Sequence, residues 1–173
     1  THSTKPFIFK NDFDKVLPYD NGSEFGLYVH IPFCKSICNF CPYCKVIYDE
    51  ETAKGYIDAL IKEIHLVGRQ WNGSIGIELH PDNVNVSVLK TLKSAGVDKI
   101  SIGIQSFQDK YRRVLQRRKF DIKDISKALN EVHFETVSMD FIFALPTQTF
   151  GDLKNDIDMA FANGANHIAI YPL

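Results

Sequence analysis

From Gly26 onward the chain repeats one pattern: a short apolar run, a turn, and then a stretch with apolar residues every three or four positions. "GLYVHIPF" reads as a buried strand ending at Pro32. Residues 50–67 carry Ala53, Tyr56, Ile57, Leu60, Ile61, Ile64 and Val67 at helical spacing, stopped near Gly68. "SIGIELH" is the next strand, closed by Pro81. "NVSVLKTLKSAG" follows as a helix, with Asn85 as N-cap and Gly96 just past its end. "DKISIGIQSF" is a strand, and 121–133 is a helix with Ile122, Ile125, Leu129 and Val132 on one face. "VSMDFIFALP" is a strand, and Thr149 with Asp152 forms a capping box that opens a helix with the stripe Leu153, Ile157, Ala160 and Phe161. Gly164 ends that helix and "HIAIYPL" is a last strand.

Strands that alternate with helices and are apolar almost throughout imply an α/β fold, a parallel sheet with helices on its outer face. Five such strands are too few to close an eight-stranded barrel, so an open or partial (β/α) barrel is expected. Functional groups then belong at the carboxyl edge of the strands. Residues 1–25 form a lead-in with turn residues Pro18, Asp20, Asn21 and Gly22, and 26–173 is expected to be one core.

A hydrophobic content of 45% and a charged content of 24% are those of a globular chain, and the net charge of −1 gives no electrostatic reason for a nucleic-acid or membrane-surface partner. The local run Arg112, Arg113, Arg117, Arg118, Lys119 reads as a solvated helix face. No stretch approaches the ~20 apolar residues of a membrane span, and the polar start "THSTKPF" is no signal peptide. A reducing, cytoplasmic location is therefore expected, and it argues against structural disulfides.

All four cysteines fall in "HIPFCKSICNFCPYCK", at 34, 38, 41 and 44. Bridges within so short a loop strain disulfide geometry. Structural zinc sites usually join two knuckles a dozen or more residues apart, and here almost nothing separates the halves. "CPYC" has the form of a redox dithiol, which would need a helix N-terminus at the motif. The fourth reading is an iron–sulfur cluster: Cys34, Cys38 and Cys41 lie on one loop after a strand, and each thiolate would bind a different iron corner. Three ligands leave one iron open, and Cys44 is surplus.

The spacing C-x3-C-x2-C after the first strand resembles radical S-adenosylmethionine (SAM) enzymes. The wider stretch "LYVHIPFCKSICNFC", with "IELHPDNV", "LKSAGVDKISIGIQSF" and "MDFIFALPTQTFGDL", is similar to the subgroup of oxygen-independent coproporphyrinogen oxidase. The resemblance implies a partial (β/α) barrel in which Cys34, Cys38 and Cys41 bind a [4Fe–4S] cluster and SAM chelates the open iron. It also implies cofactor contacts at Tyr28, at Glu78 toward the ammonium group, at Gln105, at Arg117 toward the carboxylate, and at Asp140 near the ribose hydroxyls. His30 is expected to support the loop rather than to bind metal.

Two departures stand beside the match. The family carries a glycine-rich "GGGTP"-like second strand, whereas this chain passes from its first helix through "RQWNGS" straight to "IGIELHP", lacking one βα unit. The family also continues beyond the strand matching "HIAIYPL" into a substrate-binding C-terminal region, so this sequence is expected to be an incomplete copy. The activity implied is reductive cleavage of SAM to a 5′-deoxyadenosyl radical acting on a porphyrin-related small molecule, with an electron donor such as flavodoxin or ferredoxin. The same branch includes radical methyltransferases and anaerobic haem-degrading enzymes. A non-enzymatic haem-binding or chaperone-like relative with a vestigial site is the reading from another class.

Overall fold

The computed structural model describes residues 26–35, 37–38, 40–41, 43–68 and 73–173, with the side chains of 66–68 left aside. The expected lead-in 1–25, the Val67 side chain and residues 69–72 of "RQWNGS" lie outside the described residues.

One five-stranded sheet organises the chain. It comprises β1 (Leu27–His30), β4 (Ile75–Leu79), β5 (Lys99–Gln105), β6 (Thr136–Phe143) and β7 (His167–Pro172), in that spatial order and all parallel. This is the open parallel α/β arrangement expected from the alternation. The strand "GLYVHIPF" is split, because Pro32 has no N–H to continue a ladder. The chain resumes as β2 (Phe33–Cys34), which pairs with β3 (Val46–Ile47) in a small parallel sheet of its own.

No strand separates β1 from β4 among the described residues. They pair directly, from Leu27 opposite Ile75 to His30 opposite Glu78. The edge of β1 is thus satisfied directly by β4.

The outer face of the sheet is the core. Ile77, Leu79, Ile100, Ile102, Ile104, Met139 and Phe141 are each 2% exposed or less. They meet Leu89 and Leu92 of α2 (Val86–Ser94), Ile125 and Leu129 of α4 (Ile122–Glu131) and Ala160 of α5 (Phe150–Ala162). Burial of each such side chain stabilises the fold by about 1.5–3 kcal/mol. The helix ends follow their sequence signals. Asn85 accepts the Val88 N–H at 3.0 Å, Gly96 takes φ +94° after α2, and Thr149 and Asp152 cap reciprocally. Helix α1 (Glu50–Gly68) begins where Asp49 accepts the Thr52 N–H at 2.8 Å.

Several expectations change. The inner face of the sheet is polar, so the strands are not apolar almost throughout. Register sets His30, Glu78, Ser101, Ser138 and His167 side by side in one row across all five strands. A short helix, α3 (Asp109–Val114), carries the first two residues of the arginine run. There Arg112 is buried, ion-paired with Asp109 and stacked at 4.9 Å on Phe120, so the run is not a uniformly solvated face. On α5 the sheet-facing position is Asp156 rather than Phe161, which is exposed.

Candidate functional site

Past β1 the chain forms the cysteine loop, and five hydrogen bonds and one ring stack close it. Val46 N–H donates to the Pro32 carbonyl and Tyr48 N–H to the Cys34 carbonyl, each at 2.9 Å. Lys45 Nζ donates to the carbonyls of Cys38 and Cys41 at 3.0 and 2.6 Å. His30 Nε2 donates to the Cys44 carbonyl at 2.8 Å, and its ring stacks on Tyr43 at 5.5 Å. His30 therefore supports the loop, as its place in the sequence implies.

The four cysteines are free thiols of unequal exposure. Cys38 is buried, Cys34 and Cys41 are half-buried, and Cys44 is exposed. Burial pushes the Cys34 and Cys38 thiols up, and the Arg117 guanidinium opposes this in both. Among the described residues no helix opens at "CPYC": β3 follows it and α1 starts only at Glu50. The dithiol reading therefore lacks the helix N-terminus that would activate it. Among the described residues no three His, Cys, Asp or Glu side chains converge tightly enough to hold a single metal ion. A cubane makes no such demand, because its thiolates bind separate corners.

Beside the loop, at the carboxyl edge of the sheet, lies a cavity of about 520 Å³. Its lining includes Tyr28, Glu78, Gln105, Arg117 and Asp140, together with Cys41. The five positions singled out as cofactor contacts thus come together in one place, with one of the three expected cluster ligands on its wall. A larger groove of about 680 Å³ lies between α1 and α2 and carries none of these residues.

Each polar group in the cavity has a describable environment. The Tyr28 hydroxyl donates to Glu78 Oε2, and burial, followed by this bond, pushes the Tyr28 hydroxyl up. His30 Nδ1 stands 3.5 Å from the same carboxylate oxygen. Asp140 accepts Ser101 Oγ–H at 2.6 Å on Oδ2 and Ser138 Oγ–H at 3.0 Å on Oδ1, and His167 Nδ1 lies 3.1 Å from Ser138 Oγ. Burial raises Asp140 above the usual carboxylate range, against the pull of the two hydroxyls.

Strand β5 supplies the other wall. A register irregularity between Ile102 and Gln105 re-aims its end, and Gln105 takes φ +68°. A Cβ on Gly103 would lie 3.0 Å from Gln105 Nε2 and 3.3 Å from Arg117 Nη2, so this glycine leaves room for both side chains. Arg117 is the least satisfied group in the region: its Nε and Nη1 are buried and have no hydrogen-bond partner among the described residues. A guanidinium in that state demands an acceptor.

Sequence reasoning missed Ser101 and Ser138, which hold Asp140, His167, which meets Ser138, and Lys45, which fastens the cysteine turns. The serines and His167 become visible only once strand register is known. Lys45 had no recognisable signal beyond adjacency to the motif.

Comparison with known proteins accords with this geometry. The profile described as the radical SAM superfamily matches residues 43–160. A haem chaperone HemW of Bacillus subtilis (strain 168) is 27% identical, over 84% of this chain and 49% of its own length. An oxygen-independent coproporphyrinogen III oxidase of Escherichia coli (strain K12) is 29% identical, over 72% of this chain and 36% of its own. In fold, the chain matches a solved structure of coproporphyrinogen III oxidase (HemN) from Escherichia coli, described as a radical SAM enzyme. The TM-score is 0.68 at 24% identity, over 86% of this chain and 44% of that one.

The chain spans about half the length of the curated relatives it matches. The alignment to the Bacillus protein runs over 187 residues, more than the 173 present, so that relative carries residues with no counterpart here. Among the described residues no helix is long and apolar enough to cross a membrane. With its profile match over residues 43–160 and its parallel α/β sheet, the chain belongs to the radical SAM superfamily.

Proposed function

We propose that the complete protein is a radical SAM enzyme acting on a porphyrin- or haem-related substrate, with residues 26–173 as its core and 1–25 as a lead-in. The observation that carries this reading is the single cavity that gathers Tyr28, Glu78, Gln105, Arg117 and Asp140 beside the cysteine loop. Cys34, Cys38 and Cys41 would hold a [4Fe–4S] cluster. Binding it would require Cys34 and Cys38 to give up the protons that burial favours on them. The orphaned Arg117 donors fit an anionic ligand, and SAM brings a carboxylate. When bound, the reduced cluster would supply the one electron that cleaves SAM to methionine and a 5′-deoxyadenosyl radical, and that radical would abstract hydrogen from the substrate.

The chain's own residues bind and orient. Arg117 neutralises the carboxylate and Glu78 faces the ammonium group. Asp140, held by two serine hydroxyls, accepts ribose hydroxyls, and Gln105 adds a neutral amide at the strand end. Tyr28, Tyr43 and Tyr171 line the cavity and offer flat surfaces to an aromatic base. Lys45 keeps the cysteine turns closed. The electron arrives from a donor of the flavodoxin or ferredoxin class, and a reducing cytoplasm suits such chemistry.

Anaerobic reconstitution with iron and sulfide, followed by reduction and addition of SAM, tests the proposal. A broad cubane absorption band and formation of 5′-deoxyadenosine are expected, and both are lost in Cys34→Ala. Retention of the band in that variant overturns the ligand assignment.

A second reading is a haem-binding chaperone function, favoured by the similarity to the protein named haem chaperone HemW. It is separated from the first by haem titration. Tight haem binding without SAM cleavage in the loaded protein selects it.

A further inference from the structure

Asp156 takes no part in the site described so far, although it is fully buried on α5. Its Oδ2 accepts the Ser106 hydroxyl at 2.7 Å and its Oδ1 accepts the Phe107 N–H at 3.0 Å. Ser106 Oγ in turn accepts the Gln108 N–H at 3.1 Å. The Gln108 side-chain amide donates to the Asp152 carbonyl, one helical turn earlier on α5, at 3.0 Å. These three residues directly follow Gln105.

Gln105 itself is held in an uncommon backbone state. Its φ is +68°, and the Ser106 N–H closes back on the Ile104 carbonyl at 2.9 Å, a γ-turn of the rare, strained hand. Such backbone persists only where its surroundings over-determine it. The same turn aims the Gln105 amide into the cavity beside Arg117.

We propose that Asp156 is a positioning residue: its buried carboxylate clamps the turn after β5 and so holds Gln105 against the ligand in the cavity. The proposal rests on reading that cavity as a SAM site. A helix needing only packing here would carry an apolar residue, since burying a carboxylate is unfavourable without compensating bonds. Both oxygens of Asp156 serve adjacent residues of the strained turn. Attachment of α3 runs separately, through Tyr111 and Lys110 to Asp152, at 2.9 and 3.0 Å.

The test uses the chain reconstituted with its cluster, comparing Asp156→Ala, Asp156→Asn, Gln105→Ala and the Asp156→Ala/Gln105→Ala pair. Equilibrium dialysis gives the Kd for SAM, and hydrogen exchange gives protection of the Phe107 amide. Asp156→Ala and Gln105→Ala are each expected to raise Kd about three- to tenfold, the scale of one lost hydrogen bond, and the pair no more than either alone. Asp156→Asn stays near the parent, because its carbonyl still accepts the Phe107 N–H and its amide can donate to Ser106.

Multiplying effects in the pair, or an unchanged Kd in a folded Asp156→Ala protein, overturn the proposal. Should Asp156→Ala fail to fold, Ser106→Ala replaces it, removing one of the two bonds and giving a partial rise in Kd; no rise overturns the clamp. If the parent binds no SAM, the site reading fails and the clamp is judged on exchange alone. Phe107 protection must then fall at least about tenfold in Asp156→Ala while Ile100 and Ile102 keep theirs, the scale of one lost bond. Unchanged Phe107 protection overturns it.

Discussion

Ser101 and Asp140 meet across the β5–β6 pair, Ser101 Oγ donating to Asp140 Oδ2 at 2.6 Å, while Ser138 binds the other oxygen. Both carboxylate oxygens are thus held before any ligand arrives, on an inner sheet face that burial makes unfavourable for charge. On the proposed reading of the cavity, the arrangement serves binding at some expense of stability.

Asp140→Asn tests that trade. The native carboxyl titrates above its unfolded counterpart, so the native state keeps a proton that the unfolded chain has lost as pH rises above the ordinary carboxylate range. Asp140 therefore destabilises the fold increasingly through that window, and the penalty is complete above the raised native pKa. Thermal unfolding between pH 4 and 8 should show Asp140→Asn gaining on the parent as pH rises, while its affinity for SAM falls. A constant stability difference across this range would refute the account.

Gly103→Ala should separate binding from folding. The new methyl meets the far ends of two flexible side chains, Gln105 and Arg117, which can swing away. We expect a Tm within a few degrees of the parent, about 1 kcal/mol or less. Displacing the two side chains proposed to bind SAM should weaken its affinity by on the order of tenfold. Calorimetry and equilibrium dialysis measure the two quantities side by side.

His80 gives an acid limb to stability. Burial, followed by the Arg117 charge, lowers its pKa to about 4 from an ordinary value of 6.5. The unfolded chain takes up a proton below 6.5 that the native state refuses, so stability is lost as pH falls from about 6.5 to 4 and levels off below. The full loss is about 3 kcal/mol. Denaturant titrations across this window should show that slope, and His80→Gln should remove it.

Cys44→Ser should leave cluster assembly intact, whereas Cys41→Ser should abolish it. Cys44 is exposed, and Cys41 lies on the cavity wall. Iron content and the visible band of reconstituted variants read this directly. Equal loss in both variants would assign Cys44 a ligand role.

Helix caps and the strand–helix alternation were legible because they depend on local chemistry. Asn85, Gly96 and the Thr149–Asp152 box act within a few residues of themselves. The break after β1 needed only the missing N–H of Pro32. Helix α3 was not legible: six residues are too few to display a period. The polar row was hidden for a different reason. A serine inside "SIGIQ" or "SMDF" is unremarkable until register sets Ser101 opposite Ser138 and both beside Asp140. On α5, hydrophobicity pointed to Phe161 as core, yet the sheet-facing place belongs to Asp156, one turn before Ala160. A buried acid of that kind is recognisable only through the partners that satisfy it.

The direct pairing of β1 with β4 has a consequence for how such a chain can change length. Each strand–helix repeat returns the backbone to its starting direction, so leaving out a whole repeat preserves the sense of every remaining strand. The donors and acceptors along β1 therefore find complementary groups on β4, from Leu27 to His30, without inverting either edge. Omitting a strand or a helix alone would reverse the direction and leave two ladders unmatched. The scaffold is thus tolerant in whole repeats and intolerant of fractions.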